Sequence, residues 1–337
     1  MRQEYKSKCA QKNIEYYNDF FSSRKKEILK GLTSKPKYLD PILGYHPKIR
    51  EFYDSLCHEQ DYYITKVERD LIIRDRKSII NISSPTDIVD LGCGRMEKTQ
   101  IILSEAVEKN EISIHACDLD FDLINSSMEH LEYFFGQFVK TEIYVEDFES
   151  CIGQLKYKYG KKLFMLLGQT FGNFTNIEKN IFTSTLCDSM KHSDFFMVGL
   201  DLVKDPKIIE RAWNDAAGCQ ANSVLSMIDL INEQYNGNLE TKNFSHVAKY
   251  EKSRRSLVSY AVSQKEQYAK IKELDIDVYF NEGEKIEVEF SERFLLTEVI
   301  EYFQSFGMRT IKVSVHDEIP YALLLFSGPK DNAPAAE

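Results

Sequence analysis

Residues 88–91, Ile-Val-Asp-Leu, run directly into Gly92-Cys93-Gly94, and a second apolar run over 112–117 ends in Asp118. Two glycines after an apolar strand let the main chain approach a ligand closely. A carboxylate at the end of the next strand can take both hydroxyls of a ribose. Glu97 stands where a dinucleotide-binding turn has its third glycine, so a pyrophosphate is a poor fit. Lys98, at the start of the following helix, can meet a carboxylate instead. Further on, Asp147 can accept from the exocyclic amine of an adenine while Phe148 packs on its ring. Ribose, adenine and a carboxylate without phosphate describe S-adenosylmethionine (SAM). The competing reading leaves the glycines as a tight turn and Asp118 as a helix cap.

These residues need strands to carry them. Asp87–Leu91, Ile112–Cys117 and a short Glu142–Val145 read as strands, with helices over 98–109 and 123–135 between them. Leu163–Leu167 and Phe195–Leu200 are almost wholly apolar, as strands covered on both faces must be. The alternation predicts an α/β fold with a parallel, Rossmann-like sheet flanked by helices. After Asp201 the rhythm breaks into a helix near 220–234 and alternating segments such as 257–262 and 277–280. It returns with a helix near 296–306 and a hairpin over 309–326. At the front, a helix is expected through 1–34 with Tyr16, Tyr17, Phe20 and Phe21 as anchors, ended by Pro36 and Pro41. Residues 42–66 carry tyrosines and turn signals, and a helix is expected over 66–80. The segment 328–337 reads as a disordered tail.

Bulk properties narrow the partners. The chain has 337 residues and a formal net charge of −10, which argues against broad nucleic-acid or anionic-membrane binding. Its seven cysteines are scattered and lack a CxxC pair, so neither a disulfide framework nor a zinc site is expected. The histidines show no metal-binding spacing, and His246 reads as structural; no metal is expected. No apolar stretch is long enough to span a bilayer. A cytoplasmic monomer acting on a small molecule is the expectation.

Several stretches together resemble the SAM-dependent histidine N-methyltransferases of ergothioneine biosynthesis and their tryptophan- and alkaloid-pathway relatives. They are Pro36-Lys37-Tyr38-Leu39, Asp61-Tyr62-Tyr63 with Glu68, and Gly92-x-Gly94-x-x-x-Lys98. They continue with residues 168–174 (GQTFGNF), 201–205 (DLVKD), 215–218 (DAAG) and 283–291 (GEKIEVEFS). The resemblance covers about 36–326. It implies a SAM-binding domain over 67–201 and 294–327, a mixed α+β substrate-binding domain over 35–66 and 202–293, and an active site between them. It assigns cofactor roles to Gly92, Lys98, Asp118, Asp147 and Phe148, the residues reached above from chemistry.

The resemblance also implies amino-acid-binding roles. Tyr62 and Asn173 would hold the backbone amine and carboxylate of the substrate and act as the catalytic pair. Tyr45, Glu289 and Ser291 would meet the side-chain ring, and Tyr53 would line the pocket. As plain structural residues, Asn173 would cap the helix starting near 176, Tyr62 would be an interface aromatic, and Glu289 would lie on a solvated strand face opposite Ile286, Val288 and Phe290. The chain departs from the family pattern in this half. Trp213, its only tryptophan, stands where the family has a tyrosine, within Ala212-Trp213-Asn214-Asp215 in place of Ala-Tyr-Asp-Asp. A methionine that flanks the ring is replaced near Val258–Ser259. The implied activity is SAM-dependent methylation of the α-amine of a free amino acid, histidine by default. The alternatives are a tryptophan-like amino acid or small amine of secondary metabolism, and a SAM-binding regulatory module without transfer activity.

Overall fold

The computed structural model describes residues 23–330. Tyr16, Tyr17, Phe20 and Phe21, and residues 331–337 of the tail, lie outside the described residues. The chain divides into two compact units, one built from residues up to Tyr63 and Lys204–Glu292, the other from Ile64–Val203 and the chain from Arg293 onward.

The first unit holds α1 (residues 23–33), β1 (Lys37–Tyr38), α2 (Pro47–Leu56), α8 (Pro206–Trp213), α9 (Cys219–Tyr235), β7 (Phe244–Glu251), β8 (Ser256–Ser263), β9 (Gln267–Ile271), β10 (Ile276–Phe280) and β11 (Lys285–Glu292). Its main sheet runs β1-β11-β8-β7, with β9 and β10 as a separate hairpin. The core forms where Val224, Met227, Ile228 and Ile231 of α9 meet Phe244, Ala261 and Ile286 of the sheet. The helices α2 and α8 both begin at a proline. That residue is a breaker inside a helix but suits the first turn, where its missing N–H has no partner to lose. His46 and Asp205 cap them, accepting from Lys48 N at 3.2 Å and Lys207 N at 3.0 Å. This is why 47–56 is a helix and not the turn-rich connection its composition suggests.

A bulge in β11 changes which residues share a face. Glu287 pairs with Tyr260, but Glu289 pairs with Ser259, so two steps on β11 match one on β8. The extra residue inverts the alternation. Glu289 and Ser291 thereby join the face of Ile286, which is turned to α9, while Phe290 leaves it. The simple two-faced strand expected over 286–291 is corrected accordingly.

The second unit holds α3 (Tyr63–Ser83), β2 (Asp87–Leu91), α4 (Glu97–Ala106), β3 (Ile112–Cys117), α5 (Phe121–Phe135), β4 (Val139–Tyr144), α6 (Phe148–Leu155), β5 (Lys162–Leu166), α7 (Asn176–Ser189), β6 (Phe195–Asp201), α10 (Leu296–Ser305), β12 (Arg309–Val315) and β13 (Tyr321–Ser327). Seven strands run in the order β12-β13-β6-β5-β2-β3-β4. Strands β2 to β6 are parallel; β13 runs antiparallel between β6 and β12. Every residue of β2, β5, β6 and β13 is buried, which their apolar runs allow. The third strand starts at Val139, earlier than its sequence suggests, because all six of its residues pair with β3. Strand order reverses at β2, whose neighbours are β3 and β5. Open α/β sheets bind ligands at the carboxyl ends of strands at such a point. The chain past β13 begins ordered: Gly328 is buried and donates its N–H to Asp194 O at 2.9 Å.

Candidate active site

The glycine turn follows β2 at this switch point. Gly92 and Gly94 have φ of +73° and +50°, a region that side chains with a Cβ avoid. A Cβ on Gly94 would meet nothing within 4 Å, so the turn opens onto free space. A Cβ on Gly92 would lie 3.5 Å from the Phe148 ring, which places that ring as a wall beside the turn. The Asp118 carboxylate accepts from Gly94 N at 3.0 Å and Asp120 N at 3.2 Å, and burial raises its pKa against those two bonds. Asp120, not Asp118, caps α5, accepting from Leu123 N at 3.0 Å. The helix-cap alternative for Asp118 therefore fails. Asp147 caps α6 through Ser150 N at 2.7 Å, leaving lone pairs for a further donor. A half-buried carboxylate, an aromatic wall and glycine main chain facing open space suit the diol and adenine of SAM.

Lys98 stands in the first turn of α4. Its Nζ donates to Glu68 at 2.5 Å. Glu68 has no exposed surface, and its carboxylate also accepts from Gly168 N at 2.9 Å and from Tyr321 Oη at 2.7 Å. An ammonium carries three donors, and the Glu68 bond fixes the direction of Lys98. The hub was not assigned a role from sequence, because residues 68, 98, 168 and 321 are far apart along the chain; only Glu68's place in a shared stretch signalled it. Deeper in the turn, burial pushes the Asp90 carboxyl up to about 6 despite the Thr99 hydroxyl that donates to it.

Gly168 also opens the loop carrying Asn173. Gln169 has φ +66°, its side chain accepts from Asp201 N, and a 3-10 turn spans Thr170–Asn173. The N-cap of α7 is Thr175, in a capping box with Glu178, so Asn173 is not the cap. Asp201 is held in turn by Arg293 at 2.5 Å, both side chains fully buried.

In the first unit, six of the expected substrate residues fall into two groups. Tyr62 and Trp213 are 5% and 4% exposed, with ring centroids 5.2 Å apart, edge to face. Tyr53 packs its ring 6.4 Å from Tyr62 and keeps nearly half its surface exposed, as does Tyr45. Asn214 explains one departure from the family pattern. Its amide donates to Ala248 O and accepts from Ala248 N, both at 2.9 Å, which a carboxylate could not do. The second group lies on the sheet face turned to α9: Glu289, Ser291 and Ser259, the last two 1% exposed. Glu289 accepts from Gln220 Nε2 at 2.7 Å. Gln220 went unassigned from sequence; its place two residues past Gly218, in the first turn of α9, was the available signal.

Among the described residues, no cluster of histidine, cysteine and acidic side chains could hold a metal ion, and no helix is long and apolar enough to cross a membrane. Cys93 and Cys117 are buried; burial raises the Cys93 thiol, and contact with the Cys151 side chain, then burial, raises that of Cys117.

Comparison with known proteins gives the same direction. Residues 24–327 match the model of the histidine-specific, SAM-dependent methyltransferases. The histidine N-alpha-methyltransferase of Mycolicibacterium smegmatis is 28% identical over 289 residues, 85% of this chain and 88% of that protein. Its Mycobacterium tuberculosis counterpart is 25% identical, covering 80% and 84%. The 4-dimethylallyltryptophan N-methyltransferase of Claviceps purpurea is 25% identical, covering 58% of this chain and 60% of its own. Among solved structures, the 1,6-didemethyltoxoflavin-N1-methyltransferase of Burkholderia thailandensis aligns with 95% of this chain and 90% of its own at 9% identity and a TM-score of 0.42.

Proposed function

This chain belongs to the histidine-specific, SAM-dependent methyltransferase family, and we propose that it methylates the α-amine of free histidine. It is an enzyme of the methyltransferase class with SAM as cofactor. When bound, SAM supplies a methyl group on a sulfonium, which is already a good leaving group. The protein's task is then proximity and orientation.

In this reading Asp118 takes the ribose hydroxyls, Phe148 and Asp147 the adenine, Lys98 the carboxylate, and the main chain of Gly92 and Gly94 lets the cofactor approach. Tyr62 and Asn173 hold the amino acid by its amine and carboxylate. The amine must arrive neutral, since an ammonium has no lone pair. That nitrogen would then receive the methyl group that SAM supplies. Glu289, Ser259 and Ser291 meet the ring, with Tyr45 and Tyr53 lining the pocket. The observation that carries the substrate reading is Glu289 on the sheet face turned to α9, held by Gln220 beside two buried serines. A carboxylate so placed rejects a ligand that cannot donate to it.

One observation favours a second reading, a tryptophan-like amino acid. Trp213 against Tyr62 replaces a tyrosine hydroxyl with a bulkier group that donates but does not accept. The test is to incubate the purified protein with SAM and a panel of free amino acids and to follow mass gains one methyl at a time. Gain on histidine supports the first reading, and gain confined to tryptophan-like compounds supports the second. No gain on any member overturns both.

A further inference from the structure

Strand β4 closes one side of the seven-stranded sheet, and its outer edge pairs with no strand among the described residues. Tyr144 O accepts from Asp118 N at 3.2 Å on the β3 side. Main-chain direction alternates along a strand, so the N–H and C=O groups of Val139, Thr141 and Ile143 point outward from that edge. Such an edge is a template for a further strand. Beside it lies an exposed aromatic cluster. Thr141 Oγ1 donates to Glu132 Oε1 at 3.0 Å, which ties the middle of β4 to the last turn of α5. There Tyr133 is 83% exposed and Phe134 61%, and Phe138, just before β4, is 54% exposed. Three large apolar side chains left in water next to an unpaired edge mark an interaction surface.

The charges on β4 select the partner. Lys140 and Glu142 are exposed and share a face. In an antiparallel pair, outward groups must meet outward groups, so two copies of β4 can pair only in registers centred on a residue. Centred on Lys140, the pair sets lysine against lysine; centred on Glu142, glutamate against glutamate. Centred on Thr141, it sets Lys140 against Glu142 twice and Val139 against Ile143. The two Lys–Glu pairs are then the non-hydrogen-bonded ones, where side chains come closest. Opposite charges at such sites stabilise and like charges destabilise. We propose that this chain forms a dimer in which two β4 edges pair antiparallel about a two-fold axis at Thr141. The axis is normal to the sheet and keeps both α5 helices on one side, so the aromatic clusters flank it. A stable dimer buries about 1,200 Å² or more in total. Six paired residues alone do not reach that, so Tyr133, Phe134 and Phe138 belong to the interface. Within its own chain Lys140 already meets Glu111 at 2.6 Å, and Glu142 meets Lys158, His115 and Tyr144 Oη. An exposed ammonium or carboxylate can take a second partner. The sequence argued for a monomer because the outward groups of β4 are defined only once it pairs with β3.

The experiment uses the full chain and measures its mass in solution by light scattering and sedimentation velocity across micromolar concentrations. We expect wild type to have the mass of two chains at high concentration and to dissociate on dilution. Lys140→Glu sets carboxylate against carboxylate at both pairs and should raise the dimer Kd roughly ten-fold or more. Combining Lys140→Glu with Glu142→Lys exchanges the partners and should bring Kd back to within about three-fold of wild type. Thr141→Pro removes an outward N–H at the axis without costing the sheet a bond to β3, so it should fold and remain a single chain. Circular dichroism checks the fold of each variant, and Thr141→Pro decides the matter where the exchange variant does not fold. A wild type that stays a single chain at every concentration overturns the inference. So does a dimer whose Kd is unmoved by both Lys140→Glu and Thr141→Pro, because another surface then holds it. A folded exchange variant that fails to recover the dimer overturns it as well, since the charges then do not face each other.

Discussion

The carboxyl end of β2 and the α9-facing side of the four-stranded sheet treat their polar groups in opposite ways. At the end of β2 the protein satisfies itself. Glu68 takes an ammonium, a phenol hydroxyl and a main-chain N–H, and Asp118 takes two main-chain N–H groups. On the α9-facing side, Ser259 and His246 keep buried polar atoms without a protein partner. A region that completes its own bonds holds its shape before a ligand arrives, and little ordering remains to oppose binding. A region with unmade bonds depends on what it binds, and its affinity follows how well the ligand supplies them. The contrast fits a shared cofactor with one chemistry and a substrate that differs between relatives.

The strongest test of this contrast is Asp118→Ala. It removes the acceptor for the ribose diol and releases Gly94 N from its anchor. We expect SAM affinity to fall roughly 100-fold or more, since at least two hydrogen bonds to a charged group are lost. Calorimetry with SAM checks it, and unchanged affinity would remove the cofactor site from the end of β2.

How far the sequence reveals these regions depends on how local their causes are. The strands at 87–91 and 112–117 stand at their expected bounds, because apolar runs closed by a glycine turn or a carboxylate are local signals. The helices at Pro47 and Pro206 were hidden, because the same residue breaks a helix inside and starts one at its first turn. The face that Glu289 occupies was hidden by a single bulge, which only the pairing with β8 reveals. Glu68 was visible as a shared residue, but its three partners come from three distant segments. Local pattern thus exposes the glycine turn and its carboxylate, while the groups that orient Lys98 and Glu289 emerge only from tertiary packing.

A paired measurement sharpens the comparison at the next level. Glu68→Ala leaves an ammonium, a hydroxyl and a main-chain N–H without their acceptor in a buried setting, and should cost about 3 kcal/mol of unfolding free energy. Glu289→Ala removes a partly exposed carboxylate that accepts from Gln220. It should change stability by less than about 1 kcal/mol while altering ring preference more than SAM affinity. Urea unfolding of the two variants, beside their substrate profiles, checks both. Equal stability losses would show that the two regions are built alike after all.

The finest test belongs to Gly94→Ala. The added Cβ would touch nothing within 4 Å, so packing does not oppose it. Its cost in the unliganded protein is the left-handed backbone at φ +50°, about 1 kcal/mol. If the turn exists only to reverse the chain, that is the whole effect, and SAM affinity is unmoved. If the open space before Gly94 is where the cofactor approaches the main chain, the methyl group intrudes there, and affinity falls by more than the backbone strain accounts for. Unfolding and SAM titration of one variant therefore separate a turn from a cradle. A loss of stability near 1 kcal/mol with affinity retained would assign the glycine to chain geometry alone.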